Sequence, residues 1–207
     1  MIGALTLAAG QSKRFGKPKL SEPLKNGSTL IEEVLRKTEG IFDDRLVITR
    51  SPLNKLITRL ERYDVPFLCI DDSTGLGDSI AYGVQQISNE FHEKWDACVI
   101  CLADMPFIQS NTYQSVYNTL KNSKTNSSLV VPCIKNNADR LIWDEVKRGH
   151  PVGFGRDYFH TLSHLTGDVG AQKILKENSD NLSLLAVDDH GIFIDIDSQA
   201  DLVRLQP

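Results

Sequence analysis

The chain has no apolar run near the ~20 residues that cross a bilayer, so no transmembrane helix is expected. It has no internal repeat and no linker-like low-complexity stretch. Residues 121–128 are rich in Ser, Asn and Lys but short enough to be a loop. Cysteine is scarce, and Cys69, Cys98, Cys101 and Cys133 all fall in apolar, β-like runs. Cys98 and Cys101 have the spacing of a redox or zinc pair. Their context, Ala97-Cys98-Val99-Ile100-Cys101-Leu102, reads instead as a buried strand. Residues three apart on a strand point to opposite faces, so the two thiols are expected to stay apart and behave as small hydrophobes. Positive charge is not in excess either: the formal net charge is -4. That argues against a general binder of nucleic acid or anionic membranes. The first strand begins within a few residues of Met1, which leaves no room for a signal peptide and makes the cytoplasm the default expectation.

What is present fits one α/β unit. A chain of 207 residues can bury a full core without disulfide staples. Apolar, β-rich runs recur at residues 4–8, 46–49, 66–70, 97–103 and 128–133. Amphipathic helical segments lie between the first four. Residues 29–38 place Leu30, Ile31, Val34 and Leu35 on one stripe; residues 53–63 do so with Leu53, Leu56, Ile57 and Leu60; residues 78–87 carry Ile80, Val84 and Ile87. Alternating strand and helix with uninterrupted apolar strands predicts a three-layer, Rossmann-like, mostly parallel sheet covered on both faces. The second half is less regular. Residues 156–165, 168–177 and 199–205 read as helices, and 182–187 and 193–196 as late strands. Residues 136–149 are polar and charged around a lone Trp143.

The most informative stretch is Leu5-Thr6-Leu7-Ala8-Ala9-Gly10, followed by a loop holding Lys13, Arg14, Lys17 and Lys19. Small residues after a strand let backbone N–H groups approach a polyphosphate, and the cations offset its charge. A solvated basic turn is the plainer alternative. The loop is not a Walker loop, because five residues separate Gly10 from Gly16 and Pro18 follows Lys17. The Gly-x-Gly-x-x-Gly dinucleotide fingerprint is also absent.

Asp104 lies where an apolar strand ends, just before Met105-Pro106. Open α/β sheets bind ligands at the carboxyl ends of their strands, and a carboxylate there suits Mg²⁺. A helix cap is the alternative. Asp195 and Asp197, two apart on an expected strand, would share a face. They read either as a second metal ligand or as solvent-facing caps of the terminal helix. His160 and His164 are spaced i, i+4, but the Glu and third ligand of a zinc site are missing. His92 and His190 show no ligand spacing.

These blocks together resemble the sugar-nucleotide-type nucleotidyltransferases. More narrowly, they resemble the molybdenum cofactor cytidylyltransferases and their guanylyltransferase relatives among the MobA-like NTP transferases. The resemblance runs from residues 7–20 through Gly75-Leu76-Gly77-Asp78-Ser79, residues 102–106, Gly149-His150-Pro151-Val152 and Gly167-Asp168-Val169-Gly170 to Asp195-Ile196-Asp197-Ser198. It implies a single nucleotidyltransferase domain, with residues 1–107 forming the nucleotide-binding half and 108–207 the acceptor-binding half.

The implied reaction is attack by a phosphate of a molybdopterin-type acceptor on the α-phosphorus of CTP, with release of pyrophosphate; the alternative keeps the chemistry and changes the donor to GTP or another NTP, or the acceptor to another phosphorylated small molecule. The resemblance makes Arg14 and Lys19 catalytic, with Asp104 binding Mg²⁺ beside Asp195 or Asp197. Leu7, Ala8, Ala9, Gly10 and Ser79 would meet the nucleotide. His150 and Pro151 would meet the acceptor, and Asp168 would either meet it or cap a helix. The Ala-Ala-Gly pattern around Ala9 points to CTP; guanylyl relatives show Ala-Gly-Gly. Transient contact with a molybdoenzyme or an insertion chaperone would follow. A non-catalytic nucleotide-binding chaperone on the same fold is the contrasting class. The chain departs from the pattern at Ser198 and Gln199, where Thr and Pro are usual. It departs again in the longer, charged 136–149 segment and at Arg148 before Gly149-His150-Pro151.

Overall fold

Strand β1 (Ile2–Ala8) is buried along its whole length, because it pairs on both sides and is covered on both faces. Its side chains alternate between two layers. Leu5 and Leu7 join Leu46, Ile48 and Ile100 in a core closed by Ile80 and Val84. Ile2 and Ala4 point the other way, with Val99, Tyr113 and Val116. Ala8 joins Leu30, Ile31 and Leu35 on that second side. The computed structural model describes residues 1–50, 54–70, 75–89, 95–134 and 146–205. Leu53, His92 and Trp143, singled out in the sequence, lie outside the described residues, as does most of the 136–149 segment.

The remaining strands are β2 (Asp44–Arg50), β3 (Phe67–Ile70), β4 (Ala97–Leu102), β5 (Leu129–Cys133), β6 (Val152–Gly155) and β7 (Leu182–Ala186). They form one seven-stranded sheet in the order β3-β2-β1-β4-β6-β5-β7. Strand β6 runs antiparallel to β4 and β5, and every other pair is parallel. The expected three-layer, mostly parallel α/β sheet is therefore the observed one. From β1 the chain moves outward to β2 and β3, then returns to place β4 on the other side of β1. That reversal opens a crevice at the carboxyl ends of β1 and β4, the usual ligand position in such sheets.

The helices are α1 (Leu30–Thr38), α2 (Asn54–Arg62), α3 (Leu76–Asn89), α4 (Ser110–Lys121), α5 (Phe159–Leu162), α6 (Gln172–Glu177) and α7 (Gln199–Leu205). Helix α1 starts at Thr29, whose backbone N–H donates to Glu32 Oε2 at 2.8 Å. Arg59 of α2 donates to the same oxygen at 2.7 Å, which ties α2 to the start of α1. Burial works against the Glu32 charge, but the bonds from Thr29 and Arg59 prevail and hold its pKa down.

Several expectations are corrected. Residues 193–196 are not a strand: a 3-10 turn, His190–Phe193, leads into irregular backbone. Gly191 packs so closely there that a Cβ would lie 2.3 Å from the Phe107 carbonyl oxygen. Asp195 and Asp197 therefore do not share a strand face. The helix expected over 156–165 is a 3-10 turn, Arg156–Tyr158, and the single turn of α5. The helix expected from residue 168 begins only at Gln172. Two elements were not anticipated. Helix α4 carries its apolar stripe on Tyr113, Val116, Tyr117 and Leu120, half of it tyrosine. Strand β6 is short and has glycine at two of its four positions. A Cβ on Gly153 would meet the Leu120 side chain at 2.8 Å, and one on Gly155 would lie 2.0 Å from the Asn126 carbonyl oxygen, so at the latter position the backbone contact requires glycine.

The cysteine expectation holds. Cys98 packs in the core layer with Leu5, and Cys101 in the one with Tyr113. Burial pushes both thiols up, out of the reactive range. No helix among the described residues is long and apolar enough to cross a membrane.

Gly3 is where the sheet centre tolerates least change, since a Cβ would lie 2.2 Å from the Trp95 ring. Gly3→Ala is expected to cost about 1–3 kcal/mol through overpacking. A lowered urea midpoint with an unchanged slope would show it.

Candidate active site

Past β1, Ala9 and Gly10 carry the chain across the crevice. The loop then closes on itself: the Ser12 carbonyl accepts from the N–H of Phe15 at 3.0 Å and of Gly16 at 3.2 Å. Ser12 and Gly16 hold left-handed backbone, at φ 51° and 76°. Phe15 turns inward, only 2% exposed, and packs with Leu20, Ile196 and Leu202. This aromatic pins the loop to the body while Arg14 projects outward. The 3-10 turn Lys19–Ser21 follows and directs Lys19 inward. The Lys19 backbone N–H donates to Ser12 Oγ at 3.3 Å.

Lys19 then meets residues from two distant parts of the chain. Its Nζ donates to Asp104 Oδ2 at 2.8 Å and to Asp197 Oδ1 at 3.0 Å. Asp104 stands two residues beyond β4, and Asp197 two residues before α7. The two segments are joined directly, because the Ile196 N–H donates to the Asp104 carbonyl at 2.9 Å. Neither aspartate is a helix cap. Asp189 caps α4, accepting from the Gln109 N–H at 2.8 Å and from Thr112 at 2.6 Å. Ser198 and Asp201 bond reciprocally to open α7. The carboxylates of Asp104 and Asp197 are thereby left for the crevice.

Burial disfavours the Lys19 ammonium, but Asp104 and then Asp197 outweigh it and hold its pKa above the ordinary 10.5. The Arg14–Asp197 pair is different. Arg14 Nη1 lies 3.0 Å from Asp197 Oδ2, with the Arg14 side chain 81% exposed. Such a pair stabilises the fold by about 0–1 kcal/mol at most, so Arg14 can leave it at little cost.

The resulting cleft of about 440 Å³ is lined by Leu7, Ala9, Gly10, Arg14, Lys19, Ser79, Asp104, Asp168 and Asp197, among others. Ala8 lies behind the loop, on the wall of a smaller hollow with Lys17 and Arg50. Asp195 is exposed and does not line the cleft. Of the expected carboxylate pair, only Asp197 joins the site. Asp168 is not a helix cap: α6 starts four residues later, with Ala171 at the cap position.

Asp168 is held at the cleft by a device that the sequence reading did not single out. Asp78 accepts from the Gly75 N–H at 3.0 Å with one oxygen and from the Gly167 N–H at 2.8 Å with the other. The Gly77 N–H donates to the Gly167 carbonyl at 2.8 Å. The two backbones touch, so a Cβ on Gly75 would lie 2.3 Å from the Gly167 carbonyl carbon. Ser79 is 5% exposed on the first turn of α3, and its hydroxyl donates back to the Gly75 carbonyl at 3.2 Å.

His150 and Pro151 do not line this cleft. His150 lines a second pocket of about 560 Å³ with Ile100, Val131, Phe154, Leu175 and Arg148. Leu76 and Leu102 line both pockets, so the two are contiguous. Gly149 lets this segment press against the chain near Ile192, where a Cβ would lie 2.2 Å from the Ile192 oxygen. Burial pushes the His150 pKa down, only partly offset by the Asp104 charge and the Ile100 carbonyl, which keeps the ring neutral at pH 7. His160 and His164 stack with ring centroids 4.6 Å apart. His164 Nδ1 contacts the His160 carbonyl at 2.7 Å, an arrangement of a turn and not of a metal site.

The Lys19 pairing has a pH signature. A lysine with a raised folded pKa contributes stability that is full below its unfolded value, near 10.5, and is lost as the pH rises through the folded value. Urea midpoints of the wild type and Lys19→Met, followed from neutral pH to about pH 11, are expected to converge at the alkaline end. A constant gap would contradict the pairing.

Comparison with known proteins agrees with this architecture. The sequence pattern of the MobA-like NTP transferase domain matches residues 4–182. The chain is 26% identical over 209 residues to a "Probable molybdenum cofactor guanylyltransferase" of Natranaerobius thermophilus, spanning 97% of this chain and 93% of that protein. It is 28% identical over 218 residues to the "Purine catabolism protein PucB" of Bacillus subtilis, spanning 99% and 96%. The crystal structure of Rv0371c from Mycobacterium tuberculosis shares the fold with a TM-score of 0.81 at 22% identity, covering 99% of this chain and 97% of that one. The chain belongs to the MobA-like NTP transferase family.

Proposed function

We propose that the protein transfers the nucleotidyl group of CTP to the phosphate of a molybdopterin-type acceptor and releases pyrophosphate, with Mg²⁺ as cofactor. The observation that carries this reading is the meeting of Arg14, Lys19, Asp104 and Asp197 at the carboxyl ends of β1 and β4. Gly10 adds support. Its φ is unremarkable and nothing lies within 4 Å of a Cβ built there. The fold does not require glycine at this point; a ligand approaching the backbone would.

The donor set fits Mg²⁺. Asp104 and Asp197 each aim one oxygen at a position already filled by a cation, the Lys19 ammonium. Two carboxylates completed by substrate phosphates and water suit this hard ion. When bound, it would neutralise charge on the phosphate oxygens. Asp104 and Asp197 would hold it.

The chain's own groups account for the rest. An oxygen of the acceptor phosphate forms a bond to the α-phosphorus in line, and the bond from that phosphorus to the bridging oxygen breaks. The electron pair leaves with pyrophosphate. Arg14 and Lys19 stabilise charge on the α-phosphate and leaving group, so catalysis is positioning and electrostatics. Leu7, Ala9, Gly10 and Ser79 would bound the base and ribose. The second pocket, with His150 and Arg148 on its wall, Pro151 beside it and Asp168 at its junction with the cleft, would receive the acceptor. Residues 1–107 would thus serve the nucleotide and 108–207 mainly the acceptor.

CTP is preferred on Ala9, which is 4% exposed on the cleft wall and follows the cytidylyl-type Ala-Ala-Gly pattern. GTP is the second reading, favoured by the name of the Natranaerobius relative.

Pyrophosphate release with Mg²⁺ and molybdopterin, assayed with CTP, GTP, ATP and UTP, tests the reaction and the base together. CTP alone is expected to support release, and release with GTP alone would move the assignment to the second reading. Lys19→Ala and Arg14→Ala are each expected to lower kcat by about 10²–10³ with the fold intact. Asp104→Ala should abolish metal-dependent turnover; normal activity in that variant would remove Asp104 from the metal site. Gly10→Ala should leave the unfolding free energy within about 1 kcal/mol of wild type while weakening nucleotide binding measured by calorimetry. Equal nucleotide affinity in Gly10→Ala would show that the loop does not cradle phosphates.

A further inference from the structure

The position that makes Asp104 and Asp197 suitable for a metal is occupied by this protein's own side chain. Lys19 Nζ is 2.8 Å from one oxygen of Asp104 and 3.0 Å from one oxygen of Asp197, and the Lys19 side chain is 9% exposed. A buried ammonium between two carboxylates does not drift into water as a surface lysine does. It is also held from behind, because its own backbone N–H is bonded to Ser12 and its turn is pinned by Leu20 in the core. A divalent cation taking the same two oxygens would need them about 2.0–2.1 Å away. An ammonium and a metal ion cannot both fill that space, and two cations so close repel strongly at low local dielectric.

We propose that Lys19 is a placeholder for the metal. In the nucleotide-free protein its ammonium excludes divalent cations from the Asp104–Asp197 pair, and metal enters together with the nucleotide, whose phosphates draw Lys19 away from the carboxylates. The proposal rests on reading the cleft as a metal–nucleotide site. Arg14 makes the matching exchange at the rim: it pairs with the other oxygen of Asp197 at 3.0 Å and is largely exposed, so phosphate can take it over readily. The arrangement answers a physical need. Two carboxylates aimed at one point repel when no cation lies between them. Lys19 holds both in place while the site is empty. It follows that metal and nucleotide strengthen each other's binding, by the same factor in each direction.

The test uses Mn²⁺ as the probe and the full chain as the protein. Mn²⁺ binding is read by electron paramagnetic resonance, without nucleotide and with α,β-methylene CTP or its GTP counterpart. Without nucleotide, the wild type is expected to bind Mn²⁺ weakly and Lys19→Met at least about tenfold more tightly. Lys19→Arg, which keeps the charge, should stay weak. Lys19→Met should also melt lower than wild type without metal and recover on addition of Mn²⁺. Lys19→Gln carries the same expectations and serves if the Met variant does not fold. In the wild type, the analogue should raise Mn²⁺ affinity, and Asp104→Asn should remove that gain. Equal Mn²⁺ affinity of nucleotide-free wild type and Lys19→Met, with an Asp104-dependent gain still present in the analogue complex, overturns the placeholder alone. Absence of any Asp104-dependent Mn²⁺ binding, with or without analogue, overturns the metal–nucleotide reading and the placeholder with it.

Discussion

The contact on which the site depends is one ammonium shared by two carboxylates. Lys19 reaches Asp104 across 85 positions of sequence and Asp197 across 178. The Lys19 ammonium alone would be costly where it stands, since its side chain is only 9% exposed. The two carboxylates compensate, and Lys19 stays charged. The same contact joins the glycine-containing loop after β1, the end of β4 and the approach to α7. Those three segments are the floor and one wall of the cleft.

The opposite wall is built by backbone contact instead of charge. Gly75 and Gly77 let the start of α3 press against residues 167–169, and the two oxygens of Asp78 bridge the strands of that contact. Asp168 and Leu76 are positioned as a consequence. Gly149 and Gly191 perform a similar service lower down, the first bringing the His150 segment against Ile192 and the second bringing residue 191 against Phe107. A charged wall thus faces a wall set by close backbone approach. Leu76 and Leu102 form the sill between the cleft and the pocket that holds His150.

Much of this was legible in the sequence, for reasons that differ by element. Strands β1, β4 and β5 announce themselves because both faces are buried, which leaves uninterrupted apolar runs; β2 is buried only at its centre and the edge strand β3 is half-buried, but both still show short apolar runs. Helix α1 shows its stripe in leucine and isoleucine. Helix α4 escaped because its stripe is half tyrosine and its cap, Asp189, comes from 77 and 80 positions away. Strand β6 escaped because it is only four residues long and two of them are glycine, one required by backbone contact with Asn126. In the site, Arg14, Lys19 and Asp104 were legible from loop chemistry and strand-end position. Asp195 was misjudged together with Asp197, because the alternation argument needs a strand and the chain there is irregular. Asp78 was quoted within a motif, but its role depends on a partner 89 positions away, which no local pattern carries.

A cleft that moves a nucleotidyl group and one that only holds a nucleotide differ in the fate of the phosphates. Incubation of the wild-type protein with Mg²⁺, molybdopterin and CTP labelled in either the α- or the γ-phosphate separates the two directly. Nucleotidyl transfer leaves α-label in the acceptor product and γ-label in pyrophosphate. Both labels remaining in intact, protein-bound CTP, with CTP, GTP, ATP and UTP each tried in turn, would contradict it.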